Sequence, residues 1–366
     1  MTTRREFLVQ TAAAGVLATT PFQLTVSKQA ARRSRHVTPA RAAAVVNTVR
    51  GPVDASRLGF TLPHEHILAA SAGFLQSWPE FFGGRGAFVR KVVDRLEAAK
   101  DEGVDTIVDV TPADVGRDVR LLEEVSRKSG MQIVACTGHW LHPSLSMAAR
   151  TVEELTSFFV LEIERGIDGT DIKPGVIKVA TDREGVTPFL DKALRAAARA
   201  SKATGIPVTT HTFAVDRGGE KQAAIFEEES LDPARVCLGH SDETDDLGYL
   251  TGLAGRGYTI GMDHLTVGTR AVSDAQPMVL TWQQRAECLK QLIAAGFTSK
   301  IFLSNDWFFG VSIAATGAQE TVERFNPDGI LFNTRKTIPY LRELGVTEEQ
   351  IRAITVENPR RFFARG

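Results

Sequence analysis

Eight short β-branched runs, each trailed by a longer amphipathic run, predict an α/β protein closed into a (β/α)8, or TIM, barrel. Strands that alternate with helices pair in parallel through right-handed crossovers. Eight such units in roughly 300 residues suit a closed barrel better than an open sheet. No glycine-rich phosphate loop follows the first strand, which counts against a doubly wound sheet, the nearest competing fold.

The first strand is expected at Phe60–His66, an apolar run that ends in two imidazoles. A helix over Phe88–Glu102 follows, with Phe88, Val92, Val93, Leu96 and Ala99 repeating at the helical period. The remaining strands are expected at Thr106–Thr111, Gln132–Gly138, Gly175–Thr181, Pro207–Thr212, Arg235–Ser241, Thr259–His264 and Lys300–Asp306. Helices are expected at Arg117–Ser129, Thr151–Gly166, Pro188–Thr204 and Trp282–Ala295. Residues 47–366 then form one barrel domain, and no internal repeat is visible.

Residues 1–46 differ in character. Thr3-Arg4-Arg5-Glu6-Phe7-Leu8, followed by the apolar stretch Thr11–Thr19, resembles a twin-arginine export leader. The apolar stretch is too short to span a bilayer. The basic, polar stretch from Pro21 to Val46 reads as a linker. This predicts handling by the twin-arginine export machinery and a periplasmic or exported location, with membrane association left open. The formal net charge of −1 offers no whole-chain field for nucleic acid. Cys136, Cys237 and Cys288 are odd in number and far apart, so they read as packing thiols rather than a disulfide framework.

The polar residues fall where a barrel keeps its chemistry, at the carboxyl ends of strands. His64 and His66 end the first strand, His211 the fifth, His240 the sixth, His264 the seventh and Asp306 the eighth. Positions i and i+2 of a strand share a face, so His64 and His66 can reach one metal ion. Any single buried histidine is ordinarily a satisfied core residue. Five converging on one barrel mouth call for a shared partner. His36 lies in the linker and is inert on this reading; His139 and His142 read as loop residues without a catalytic role.

Lys178, between Ile177 and Val179, is not a solvated charge. Burial lowers the pKa of such an amine. A neutral amine can form a Schiff base with a carbonyl substrate, or add carbon dioxide and bridge two metals as a carbamate. The neighbouring histidines favour the second.

His64-Glu65-His66, Lys178, His211, His240 and Asp306, in that order, resemble the metal site of the bacterial phosphotriesterase family within the amidohydrolase superfamily. Ile107-Val-Asp-Val110, Ile177-Lys-Val-Ala180, Gly239-His-Ser-Asp242, Ser304-Asn-Asp-Trp307 and Asn326-Pro-Asp-Gly329 carry the likeness along the chain. The resemblance implies that His64, His66 and Asp306 hold the more buried of two divalent metals and His211 and His240 the more exposed one. Zinc is the default, with cobalt or manganese as substitutes, and Lys178 carbamate, formed with carbon dioxide, bridges the pair together with a hydroxide. It further implies attack of that hydroxide on an organophosphate triester, a small-molecule ester, with Asp306 passing the proton through His264. A lactonase or carboxylesterase using the same site is the alternative. The family is commonly homodimeric, and Phe74 to Phe82 is a candidate contact.

The chain also departs from the family pattern. Glu243 stands where the relay has an aspartate, one methylene longer. Asp245 and Asp263 are candidates for orienting imidazoles. Trp140 is kept in the substrate pocket, but Leu141, Val311 and Ala314 replace rings, Ile313 replaces a serine, and Val267 replaces a histidine. Each lost stacking contact is worth about 0.5–1.5 kcal/mol, so a weaker grip on aryl leaving groups is expected.

Overall fold

The computed structural model describes residues 44–266, 280–312 and 323–364. The predicted leader, the linker up to residue 43, Val267, Ile313 and Ala314 lie outside the described residues.

An antiparallel hairpin, β1 (Val45–Thr48) and β2 (Gly51–Asp54), precedes the barrel. The sequence reading assigned Val45 and Val46 to the linker. They leave it because Val46 is buried in one cluster with Val134 and Val176. Hydrogen bonds from Val49 N–H to Ile133 O (2.9 Å) and from Asn47 Nδ2 to Pro174 O (2.9 Å) fasten the hairpin in place. Burial of β-branched side chains thus outweighs the basic, linker-like context.

Eight strands follow: β3 (Thr61–Glu65), β4 (Thr106–Asp109), β5 (Gln132–Gly138), β6 (Val176–Ala180), β7 (Val208–His211), β8 (Val236–Leu238), β9 (Thr259–Met262) and β10 (Ile301–Leu303). They are hydrogen-bonded in parallel in chain order, from β3 to β10. The seam between the last strand and the first is closed by the segment beyond β10. Asp306 N–H donates to His64 O (3.1 Å), His66 N–H to Trp307 O (2.9 Å), and Ala69 N–H to Gly310 O (2.8 Å).

Every strand but Gln132–Gly138 is shorter than expected, and two shorten most. Arg235–Ser241 and Lys300–Asp306 shrink to three residues each because His240 and Asp306 turn left-handed, at φ of 55° and 48°. That conformation costs an L-residue roughly 1–2 kcal/mol. Both residues are expected ligands, so the strain sits where side chains swing off the strand tips.

Alternation along the strands sorts the side chains. Val134, Cys136, Val176, Cys237 and Phe302 share one cluster with Phe362 and Phe363 of the last helix (Asn358–Phe363). Ile177, Val179, Leu238, Ile260 and Leu303 pack instead with Leu194, Ala197 and Leu289 of the outer helices. Lys178 therefore shares its face with Val176, not with Ile177. All three cysteines are buried and unpaired, as packing thiols should be.

The helices Arg85–Asp101, Val119–Ser129, Val152–Arg165, Pro188–Thr204 and Trp282–Ala294 stand close to expectation. Thr151 and Thr281 open theirs with capping boxes. Arg117 was expected to begin a helix. Asp118 caps that helix instead, and Arg117 is buried, donating to Cys136 O and to Glu162.

Glycine has a specific use at Gly138, with φ of 117°, where a Cβ would collide with the carbonyl oxygen of Lys178. At Gly261 a Cβ would stand 2.6 Å from Asp263 Oδ2. These two positions let adjacent strands approach around the polar mouth.

Candidate metal centre

The six expected ligands converge at the carboxyl ends of the strands. Lys178 Nζ is 2.7 Å from His64 Nε2. Asp306 Oδ1 is 3.1 Å from His66 Nε2 and 3.6 Å from His64 Nε2. His240 Nε2 lies 2.8 Å from His211 Nδ1. His66, Lys178, His211, His240 and Asp306 line one cavity. His64, His240 and Asp306 hold donor atoms close enough to share an ion.

The far sides of the rings are already engaged. One buried carboxylate, Asp263, faces His64 Nδ1 through Oδ2 and His240 Nδ1 through Oδ1, both at 2.9 Å. Thr111 Oγ1 faces His66 Nδ1 at 2.8 Å. A ring whose Nδ1–H donates outward presents a bare Nε2 lone pair inward. His66 Nε2 and Asp306 Oδ1 then point lone pairs at each other, and Asp306 Oδ1 is buried without a hydrogen-bond donor. Such a pair repels unless a cation lies between. The residues therefore fit a metal, and imidazole with carboxylate is a donor set suited to zinc, cobalt or manganese.

The electrostatics agree. Burial, then the nearby Lys178, pushes His64 down to about 3, against the pull of Asp263, so its ring is neutral. Burial lowers Lys178 to about 8, which puts the free amine required for a carbamate within reach at neutral pH. Burial alone would raise Asp306, but the hydrogen bond and charge of His264 hold it well below the ordinary carboxylate range.

The expected relay is assembled in line. Asp306 Oδ2 lies 2.9 Å from His264 Nε2, and His264 Nδ1 lies 3.0 Å from Glu243 Oε1. Burial opposes charge on His264, yet the two carboxylates lift it to about 10. The extra methylene of Glu243 does not break the chain. The His264 ring also stacks on His240, with centroids 3.8 Å apart.

The other candidates divide. Asp263 orients two rings as expected, whereas Asp245 is exposed and among the described contacts touches no imidazole. Asp242 does the nearby work, accepting from the backbone N–H of Asp263 and of His264. Trp140 lines the cavity and stands edge-on to His211 at 5.9 Å. Leu141 does not line it; its apolar side chain is buried with Leu155 and Phe159 in the outer core. Val311 is buried beside the seam, in a parallel bridge with Ala69, and likewise does not line the cavity. A ring the sequence reading missed does: Phe308 stacks on His66 with centroids 4.6 Å apart and planes within 2°.

The largest omission is Glu65, between the two histidines. Fully buried, it accepts from Ser304 Oγ (2.7 Å), Asn305 N–H (2.9 Å), Asn305 Nδ2 (3.1 Å) and Trp307 N–H (2.9 Å). Ser304 Oγ in turn accepts from His64 N–H at 2.9 Å. Burial raises the Glu65 carboxyl to about 8. The signal was an acid inside an apolar strand, with Ser304 and Asn305 at the end of the strand that must meet it.

Residues 44–363 match the model of the Phosphotriesterase family. A "Phosphotriesterase homology protein" of Mycobacterium tuberculosis is 35% identical over 335 residues, covering 87% of this chain and 98% of that protein. An "Aryldialkylphosphatase" of Saccharolobus solfataricus is 34% identical over 315 residues, 85% of this chain and 97% of its own. An "N-acetyltaurine hydrolase" of Danio rerio is 25% identical over 352 residues, 87% and 97% of the two chains. The chain belongs to the phosphotriesterase family and is a metal-dependent hydrolase of that kind.

Replacing Glu65 tests the seam. In Glu65→Gln, an amide N–H faces the Trp307 N–H, leaving one buried donor unpaired at a cost of about 1–3 kcal/mol. Denaturant unfolding should show that loss, and the purified protein should retain less metal by elemental analysis. Unchanged stability and metal content would remove Glu65 from this role.

Proposed function

We propose that this member of the phosphotriesterase family is a binuclear metal-dependent hydrolase of organophosphate triesters. The observation that carries the reading is the donor-free, buried Asp306 Oδ1 facing His66 and His64, with Lys178 against His64 and the His264–Glu243 relay on the other oxygen of Asp306. His64, His66 and Asp306 would hold one ion and His211 and His240 the other, with carbamylated Lys178 between them. Ions held there supply Lewis acidity, lowering the pKa of water and polarising the ester oxygen.

The chain's own residues do the rest. Asp263 and Thr111 fix three imidazoles in the orientation that turns Nε2 inward. Asp306 accepts the proton of the nucleophilic water, and His264, held protonated between the two carboxylates, releases its Nδ1 proton to Glu243 as it takes the new one from Asp306 Oδ2. Glu243 stabilises the imidazolium and leads the proton to the half-buried rim. Trp140, Phe308, Val110, Pro112 and Val115 wall the cavity with apolar surface, which suits the substituents of a neutral ester.

A second reading is carbonyl chemistry, as in a lactonase or carboxylesterase. The relatives' names favour keeping it, since they span an aryldialkylphosphatase and an N-acetyltaurine hydrolase. A nitrophenyl phosphotriester and an acyl homoserine lactone, assayed side by side on metal-loaded protein, separate the two. A large lactone preference would reverse the ranking. Twin-arginine export, an exported location and a homodimer belong to the same proposal; in the candidate contact segment, Trp78 and Phe81 are exposed.

Two variants probe the assignment. Lys178→Ala should lose metal and turnover together, and a short carboxylic acid in the vacated space should restore part of both; absence of rescue counts against the carbamate. His264→Ala should keep its metal while turnover falls about 10²–10⁴-fold, the range for loss of a proton-transfer group. Metal depletion in that variant, measured by elemental analysis, would mean that His264 acts as a ligand.

A further inference from the structure

A second polar pair stands at the rim, outside the relay and the ligand set. Asp114 lies in a single helical turn, Ala113–Val115, beyond β4. Its two carboxylate oxygens accept from the Trp140 backbone N–H at 3.1 and 3.2 Å. His139 is 4% exposed, and its N–H donates to Lys178 O at 2.9 Å. Its Nδ1 faces Asp114 Oδ2 at 3.4 Å and Trp140 O at 3.2 Å. The Trp140 residue is thus held at its N–H and at its carbonyl. The same indole lines the cavity and stands edge-on to His211. Its other described ring neighbour, His142, is exposed and gives it no fixed support.

We infer that Asp114 and His139 act as positioning residues that clamp Trp140 against the metal centre and so set how well the site accepts bulky planar substituents. The inference deepens the hydrolase reading and rests on it for the substrate-selective part. His139 Nε2 is buried without a hydrogen-bond partner. The described polar contacts of that ring are therefore all made through Nδ1, toward Asp114 and the Trp140 carbonyl. Asp114 also ties the loop after β4, whose Pro112 and Val115 form another part of the wall, to the loop after β5.

The test uses the metal-loaded full chain and three variants, Asp114→Ala, Asp114→Asn and His139→Leu, each also made with Trp140→Phe so that the emission of Trp140 is read by difference. Asp114→Ala should shift that emission to the red and open it to acrylamide quenching. KM for a nitrophenyl phosphotriester should rise about tenfold, with kcat, metal content and KM for a trialkyl ester of small substituents within about twofold. Asp114→Asn keeps an acceptor for the Trp140 N–H and should recover most of both effects; His139→Leu should give a smaller version of them. If Asp114→Ala does not fold, Asp114→Asn against His139→Leu carries the same readouts. Unchanged Trp140 emission, or an equal loss on every substrate, overturns the clamp. If the parent protein hydrolyses no ester, the functional reading fails, while the fluorescence arm still decides whether the clamp exists.

Discussion

The meeting of β3 with the segment beyond β10 is the constraint on which the centre depends. A barrel has no free edge only if its first strand finds its last. Here the ladder continues past the regular part of both strands, wholly so on the β10 side. It runs through His64, His66, Asp306 and Trp307, which trade backbone hydrogen bonds across the seam. Three of those four are expected ligands, so closure and ligand placement are one event. Glu65 makes the arrangement rigid from the side away from the metal, gathering donors from residues 304, 305 and 307, on either side of the left-handed Asp306. A carboxyl group whose oxygens accept four hydrogen bonds tolerates burial that an unpaired one would not.

On the mouth side the same logic is repeated with shared acceptors. Asp263 serves two histidines and the His240 N–H, and Asp242 serves the N–H groups of Asp263 and His264 with Arg285 nearby. The acids form a layered scaffold in which each fixes the next group inward. Several opposing charges within so small a volume would be unstable in isolation. They are tolerable because burial keeps His64 neutral and lowers Lys178, while Asp306 is matched by His264.

The sequence made the barrel legible because hydrophobic alternation and helix length are local signals, and Gln132–Gly138 and Pro188–Thr204 emerge with the expected bounds. It made the ligands legible because imidazoles at strand ends are rare enough to count. What it concealed depends on backbone direction. No periodicity announces that His240 and Asp306 turn left-handed, so β8 and β10 were read too long. Nor does spacing reveal that Leu141 turns into the outer core while Phe308 turns to stack on His66. Glu65 was hidden for another reason: alternation assigns it to the face opposite the histidines, and its partners lie some 240 residues away.

The choice between phosphoryl and carbonyl substrates cannot come from the relay, since either reaction needs a water deprotonated beside a polarised oxygen. Discrimination must lie in the wall. Among the described residues that line the cavity, the ionisable ones are His66, Lys178, His211, His240 and Asp306, all members of the centre. The remainder are Ala69, Val110, Pro112, Val115, Trp140 and Phe308. Such a wall gives no counter-charge to an anionic substituent and gives apolar contact to a neutral one. Phe308 brings one ring to the cavity, stacked on His66, and Trp140 brings another, edge-on to His211. Aromatic surface therefore meets two of the imidazoles at the cavity wall. Under the proposed function, such a wall suits neutral esters, and the orientation of Trp140 becomes the variable on which the fit of a planar group depends.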